Sequence, residues 1–415
     1  MKLVNATPSH AGPAAGAPLP IASPEGIPGD EFLQDLRGIL ESRRLTNAGR
    51  VRELEEVASQ YLGVPFCVAV SSCTAGLILT LRALQLHGEV ILPSFTFHAT
   101  AHSALWNGLK PVFADCDGET FCIDPHAVRG KLSSATAAIL TVHLFGCPAP
   151  VSELEEISGK CRIPLVYDAA HAFGSKVGDR HVGTFGVAEV FSFSPTKLVV
   201  AGEGGLIATR DRVLAEHLRA ARNYGDAGTG DPQLLGLNAR MSEFHAALAL
   251  SGFSSLEARI QRRNQIRLHY LRRLEAVPGL SFQRIPEGHR STCKDMSVLV
   301  DEHVFGVSRD GLRNVLCEQN IETRHYFWPP VHRQKLYRRI WDRSPLPVTE
   351  RVSGRVLNLP IYSALTEQDV DRICDAILCA FELAKRGEQS AKAAANYQAS
   401  TSSTRMPTAA RGTGF

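Results

Sequence analysis

Between about residue 66 and residue 210 the chain alternates short apolar runs with stretches of helical periodicity, and this alternation restricts the fold more than any other feature. The runs are FCVAV, EVILP, PVFAD, AAILTV, PLVYD, EVFSF and GLIAT. Helical stretches from Thr74 to Leu86, near 98–107, after Pro125 and near 151–160 separate several of them. A strand that reads as continuous apolar residues is buried on both faces, and strands separated by helices are joined by crossovers. The segment therefore predicts an α/β domain around a mainly parallel sheet.

Two amphipathic helices precede it, one through Phe32, Leu33, Leu36, Ile39 and Leu40, the other through Leu54, Val57, Ala58, Tyr61 and Leu62. After Arg240 the pattern changes to long helical stretches, of which the Arg-rich one before Pro278 reads as a connector. GLSFQRI and DMSVLVD then read as strands, Ser308 opens a helix, and Thr366 caps a last one, which together predict a smaller α+β domain. The expected division is a large domain over 26–255 and a small one over 256–385. Residues 1–25, rich in Ala, Pro and Gly, and 386–415, without Leu, Ile or Val after Gly387, are expected to be disordered tails.

With 45 Lys plus Arg against 42 Asp plus Glu, the formal charge of +3 leaves no global field to hold nucleic acid or an anionic membrane. The cations divide into 35 Arg and 10 Lys, so few residues are available to any chemistry that needs a lysine amine. The 10 cysteines form no paired CxxC spacing and several lie in apolar runs, where a free thiol packs as a small hydrophobe. The amino terminus lacks the apolar stretch of a signal peptide, and a cytoplasmic location is expected.

Three segments place polar residues where strands end: SSCTAG at 71–76, YDAAHAFGS at 167–175 and FSFSPTKLVVAGEGG at 191–205. Ligands bind at the carboxyl ends of strands in open parallel sheets, so three such ends point to one crevice. Ser71 to Thr74, between a strand and a helix, read either as an anion site on a helix start or as an ordinary cap. Asp168 reads either as a carboxylate that orients a cation or as a helix cap. Lys197 reads either as a desolvated amine able to form an imine or as a solvated loop lysine. His98 and His102, one helical turn apart, suggest a shared metal or a packing role, but no HExxH or third ligand accompanies them.

These segments, together with PSFTFHAT at 93–100, PVFADCD at 111–117, TVHLFGCPAP at 141–150, GLNARMSEFHAA at 236–247 and the ending LNLPIYSALTEQDVDRI, resemble the DegT/DnrJ/EryC1/StrS family of sugar aminotransferases from about residue 27 to 383. The resemblance implies a pyridoxal-phosphate enzyme of the aspartate-aminotransferase fold, a homodimer with active sites built across the interface. Carried over, Lys197 would hold the cofactor as a Schiff base and later move protons. Asp168 would pair with the pyridine nitrogen, since a protonated ring is the electron sink the chemistry needs. His171 would lie beside the phenolic oxygen and Phe97 would stack on the ring. The Cys73 amide, Thr74 and Ser192 would bind the phosphate, with Asn238 reaching it from the partner subunit.

The sequence departs from the family pattern at Cys73, where Gly is common and a side chain is expected near the phosphate, and at Ser194, Leu237 and Ala239. The lysine at 197 favours transamination over the family's dehydratase branch, which has His there. The resemblance implies L-glutamate as donor and a ketone on a nucleotide-linked deoxyhexose as acceptor, with a keto-cyclitol as the alternative. A scaffold relative without chemistry is the non-enzymatic alternative, against which Asp168, Ser192 and Lys197 occur together. The segment ETRHYFWPPVH at 322–332 offers Arg324, His325 or Tyr326 to the substrate side, where Arg could meet a phosphate or carboxylate, while its aromatic residues are expected to pack between domains.

Overall fold

In the computed structural model, which describes residues 16–25 and 29–402, all of the apolar runs are strands. In chain order the strands are β1 (Phe66–Val70), β2 (Glu89–Pro93), β3 (Lys110–Ala114), β4 (Thr136–Val142), β5 (Leu165–Asp168), β6 (Lys176–Val177), β7 (Arg180–His181), β8 (Ala188–Ser192), β9 (Gly205–Thr209), β10 (Leu280–Phe282), β11 (His289–Arg290), β12 (Met296–Val300) and β13 (Val356–Leu359). The central sheet has seven strands in the order β1-β9-β8-β5-β4-β2-β3. Every pair from β8 to β3 is parallel, whereas β9 runs antiparallel to both β1 and β8. The reason is local: no helix intervenes between β8 and β9, so the chain returns through the loop 193–204 without a crossover. Helices cover both faces over separate apolar clusters, one around Val68, Leu92 and Val190, the other around Leu54, Phe191 and Leu206.

A three-stranded antiparallel sheet, β10-β12-β13, forms with the connector helix Leu256–Leu274 and the last helix a second core that includes Val298, Leu312 and Ile373. β13 has no strand signal in the sequence, because its central Asn358 breaks the apolar run. That Asn is buried and bonded to Ser297 and to the Tyr326 amide, which compensates the polar group inside the sheet.

Both expected tails are partly structured. Residues 16–25 lie against the C-terminal core: Leu19 is 0% exposed within it and pairs with Ile321, the Ile21 amide donates to Glu322, and Glu25 is buried against Arg263 at 3.2 Å. Mean composition cannot register one leucine that fills one hole. At the other end the last helix runs on to Ser402, through an alanine-rich stretch of high helix propensity. Residues 1–15 and 403–415 lie outside the described residues. No helix among those described is long and apolar enough to cross a membrane.

Candidate active site

β1, β2, β4, β5 and β8 all end at the same edge of the sheet, and a cavity of about 300 Å³ lies there, at the small end of the range for ligand sites. After β1 the chain turns through Ser71 and Ser72 into the helix Cys73–Ala83. Ser72 caps it, its Oγ accepting from the Ala75 amide at 3.1 Å, which leaves the Cys73 and Thr74 amides outside the helical ladder. Gly205, opening β9, permits this helix start to approach the sheet. A Cβ there would come 2.6 Å from the Cys73 nitrogen and 2.8 Å from the Phe191 carbonyl. Cys73 and Thr74 both line the cavity. The Cys73 side chain turns inward, its Sγ 3.8 Å from Asp168 Oδ1 and 3.5 Å from the Val190 carbonyl, so it sits beside the carboxylate instead of at the helix start. Burial pushes its thiol well up, with the Asp168 charge adding to the effect.

Asp168 ends β5, buried in the cavity wall. Its Oδ2 accepts from Thr100 Oγ1 at 2.7 Å and its Oδ1 from the Ala170 amide at 3.1 Å. Thr100 is in turn 2.9 Å from Thr96 Oγ1. Among the described residues no cation bonds this carboxylate, and burial raises its pKa against the pull of those two donors and the more distant Lys197. Lys197, in the loop after β8, is partly buried and lines the same cavity. Burial first, then the neighbouring Lys294 charge, lowers its amine to about 8, and neither Asp168 nor Asp295 is hydrogen-bonded to it. Asp168 is therefore no helix cap, and Lys197 is no solvated loop lysine.

His171 Nδ1 accepts from the Phe145 amide at 3.1 Å, so the neutral ring carries its proton on Nε2. Burial holds its pKa well below the usual range, and the ring is parallel to those of Phe145 and Phe327. Ser192 ends β8 on the cavity wall, and Phe97 lines the cavity with its ring 49% exposed. Asn238 is not brought to the cavity of its own chain. It is exposed, and its Oδ1 accepts from Arg240 Nε at 3.2 Å.

The sequence did not point to Thr100, Glu203, Lys294, Asp295 or Phe327, all of which line the cavity or bond to residues that do. Thr100 lies inside PSFTFHAT, where its spacing from Phe97 was the available signal. Lys294 and Asp295 come from the second core, and nothing local marks them. Of the residues that the 322–332 segment offered, Tyr326 lines the cavity, joined by Phe327, whereas Arg324 and His325 do not. His98 and His102 lie 5.0 Å apart, and His102 Nδ1 hydrogen-bonds the Tyr337 hydroxyl at 2.5 Å.

The family model of the DegT/DnrJ/EryC1/StrS aminotransferases matches residues 27–378. The chain belongs to this family. It is an aminotransferase, similar at 32% identity to the dTDP-4-amino-4,6-dideoxy-D-glucose transaminase of Shigella dysenteriae, over 87% of this chain and 98% of the relative. The enzyme of the same description from Escherichia coli is 33% identical over 87% and 98%. Among solved structures, DesI, crystallised in the presence of its TDP-sugar product, superposes with a TM-score of 0.85 at 38% identity, covering 91% of this chain and 97% of that one. Helicobacter pylori PseC, an aminotransferase involved in the biosynthesis of pseudoaminic acid, gives 0.82 at 26%, covering 88% and 100%. This member of the family thus shares the α/β architecture of sugar aminotransferases over nearly all of its described length.

Proposed function

We propose that the chain is a pyridoxal-phosphate-dependent enzyme that transfers an amino group from L-glutamate to the ketone of a nucleotide-activated deoxyhexose. The observation that carries this reading is the meeting, in one cavity, of a buried carboxylate without a cation and a lysine amine already lowered to about 8. Those groups fit the cofactor. Asp168, to which no cation is bonded among the described residues, suits a protonated ring nitrogen, the open Cys73 and Thr74 amides at a helix start suit a phosphate dianion, and the half-exposed Phe97 offers a face for stacking.

Bound there, pyridoxal phosphate supplies a carbonyl that condenses with amines and a ring that delocalises the electron pair left by a departing proton. Lys197 carries the cofactor covalently through its amine. Once freed by the donor's amine, it would move a proton between the carbon that bears the amino group and the cofactor's carbonyl carbon, in the opposite direction for the acceptor. Thr100 and the Ala170 amide fix both oxygens of Asp168, so the carboxylate meets the ring nitrogen in one orientation. Thr74 and Ser192 add hydroxyls to the phosphate, and the Nε2 proton of His171 is available to the phenolic oxygen. The second copy of a homodimer supplies Asn238, which its own chain leaves exposed beside the exposed Leu235 and Leu237. The separate core that Ile266 and later residues form with Leu19 supports a smaller carboxyl-terminal domain beside the cofactor domain, with Leu256 and Ile260 still packed in the larger one. The relatives named for nucleotide-sugar substrates support the acceptor class, and the family resemblance supports the donor.

The test is an absorption spectrum of the protein with pyridoxal phosphate, before and after L-glutamate, followed by borohydride and mass mapping. Label on Lys197, and a visible band that glutamate converts to that of the amino form of the cofactor, are expected. Lys197→Ala is expected to retain cofactor without turnover, and a variant that transaminates at the native rate refutes the assignment.

A further inference from the structure

Lys294 and Asp295, both in the cavity wall, are charged residues without a role in the reading above. Lys294 is 5% exposed, and its Nζ lies 3.1 Å from Oδ1 of Asp295, whose side chain is 6% exposed. Their backbone is pinned, because the Lys294 amide donates to the Phe145 carbonyl at 3.0 Å and its carbonyl accepts from Arg263 Nη1 at 3.3 Å. Arg263 is held by Glu25, so the pair ends a buried chain of contacts that starts in the amino-terminal segment. A buried ion pair is a poor stabiliser. Each ion loses several kcal/mol of hydration, and an apolar pair of equal volume does as well or better. Its presence in this wall needs a reason beyond folding.

The neighbours supply one. The charged and titratable groups around the Lys197 amine are Lys294, Asp295, Asp168, Cys73 and His171, with Glu203 also on the cavity wall. Burial keeps Cys73 and His171 in their neutral forms. Resting on the reading that Lys197 carries the cofactor, we propose that Lys294 and Asp295 are positioning residues for that amine: the Lys294 ammonium, anchored by Asp295, holds a second positive charge beside Lys197, so that Lys197 sheds its proton and attacks a carbonyl. After burial, Lys294 is the strongest influence lowering the amine, and Asp295 acts in the opposite sense. Lys294 thus favours the nucleophile, while Asp295 fixes the ammonium in place and limits its effect.

The step itself balances simply. The lone pair of the neutral amine forms a bond to the aldehyde carbon, two protons join the departing oxygen, and water leaves. Borohydride then adds hydride to the new C=N carbon and traps the product as a secondary amine on Lys197. The experiment takes protein stripped of cofactor, pulses it briefly with pyridoxal phosphate at pH values between about 6 and 10, quenches with borohydride and quantifies label on the Lys197 peptide by mass. The native rate is expected to reach half its maximum near pH 8. Lys294→Met should move that midpoint up and slow labelling at pH 7 by roughly three- to tenfold, the effect of one nearby charge. Asp295→Asn should move it down, and Lys294→Arg should restore it. Shifts of the two variants in the same direction, or a Met variant that is folded and labelled with the native midpoint, overturn the inference. If Lys294→Met does not fold, Lys294→Gln removes the charge while keeping an amide donor for Asp295, and a native midpoint in that folded variant overturns the inference equally. Absence of label on Lys197 in the native protein refutes the cofactor reading and this inference with it, whereas label with an unmoved midpoint refutes the inference alone.

Discussion

Asp168→Asn is expected to stabilise the cofactor-free protein while disabling it. The carboxylate is buried, accepts from Thr100 and the Ala170 amide with the Cys73 thiol beside it, has no bonded cation among the described residues, and its pKa is raised. An acid with a raised folded-state pKa binds more protons folded than unfolded. Its ionisation therefore costs stability above that pKa, and the cost fades as pH falls toward the unfolded carboxylate value. Removing the charge recovers a burial penalty of several kcal/mol. Against this, two bonds to a charged acceptor become bonds to a neutral one, a loss of about 2–3 kcal/mol in all. The geometry tolerates the exchange: Oδ1 still accepts from Ala170, while the new amide donates to Thr100, which turns its proton toward Thr96. The net expectation is a gain of about 1–2 kcal/mol at pH 8, or some 2–4 °C in Tm per kcal/mol for a domain of this size. Differential scanning calorimetry of stripped protein across pH reads it, and the gain should shrink toward acid. Saturating pyridoxal phosphate should reverse the order, because the native protein gains binding free energy that the variant lacks. A folded Asn variant that melts no higher than the native protein at pH 8 refutes the claim that this carboxylate is held at a cost for its chemistry.

Gly205→Ala forces a Cβ onto the Cys73 nitrogen and the Phe191 carbonyl, and is expected to cost about 1–3 kcal/mol and the cofactor site together; native cofactor affinity by equilibrium dialysis refutes this. Leu19→Ala, in a stretch whose composition reads as a tail, is expected to cost about 2–5 kcal/mol by urea unfolding, whereas a tail residue would change stability by less than about 0.5 kcal/mol. Ser192→Ala, losing one hydroxyl from the phosphate, should weaken cofactor binding by roughly tenfold to a hundredfold, and unchanged dialysis would remove Ser192 from the site.

Much of the large domain could be read from the chain alone, since most strands of the central sheet are dominated by short apolar runs, the pattern that burial on both faces demands. The strand-end residues Thr74, Asp168, Ser192 and Lys197 were legible for the same reason: in such a sheet, polar residues at those ends face one crevice. What composition obscured was small and specific. Leu19 and Glu25 are single residues in a stretch rich in Ala, Pro and Gly, and β13 carries a buried Asn that a hydrophobic pattern rejects.

What the amino-acid sequence determined by itself is the set of elements and the chemistry of the groups at their ends, because periodicity and side-chain type are local properties. The tertiary structure alone decided the environment of those groups. That Asp168 faces Thr100, the Ala170 amide and the Cys73 thiol, with no bonded cation among the described residues, depends on contacts between separate elements. Lys197 shares a wall with Lys294 and Asp295, which come from the second core nearly a hundred residues later. Burial and charge proximity are sums over neighbours in space, and those neighbours are distant in the chain.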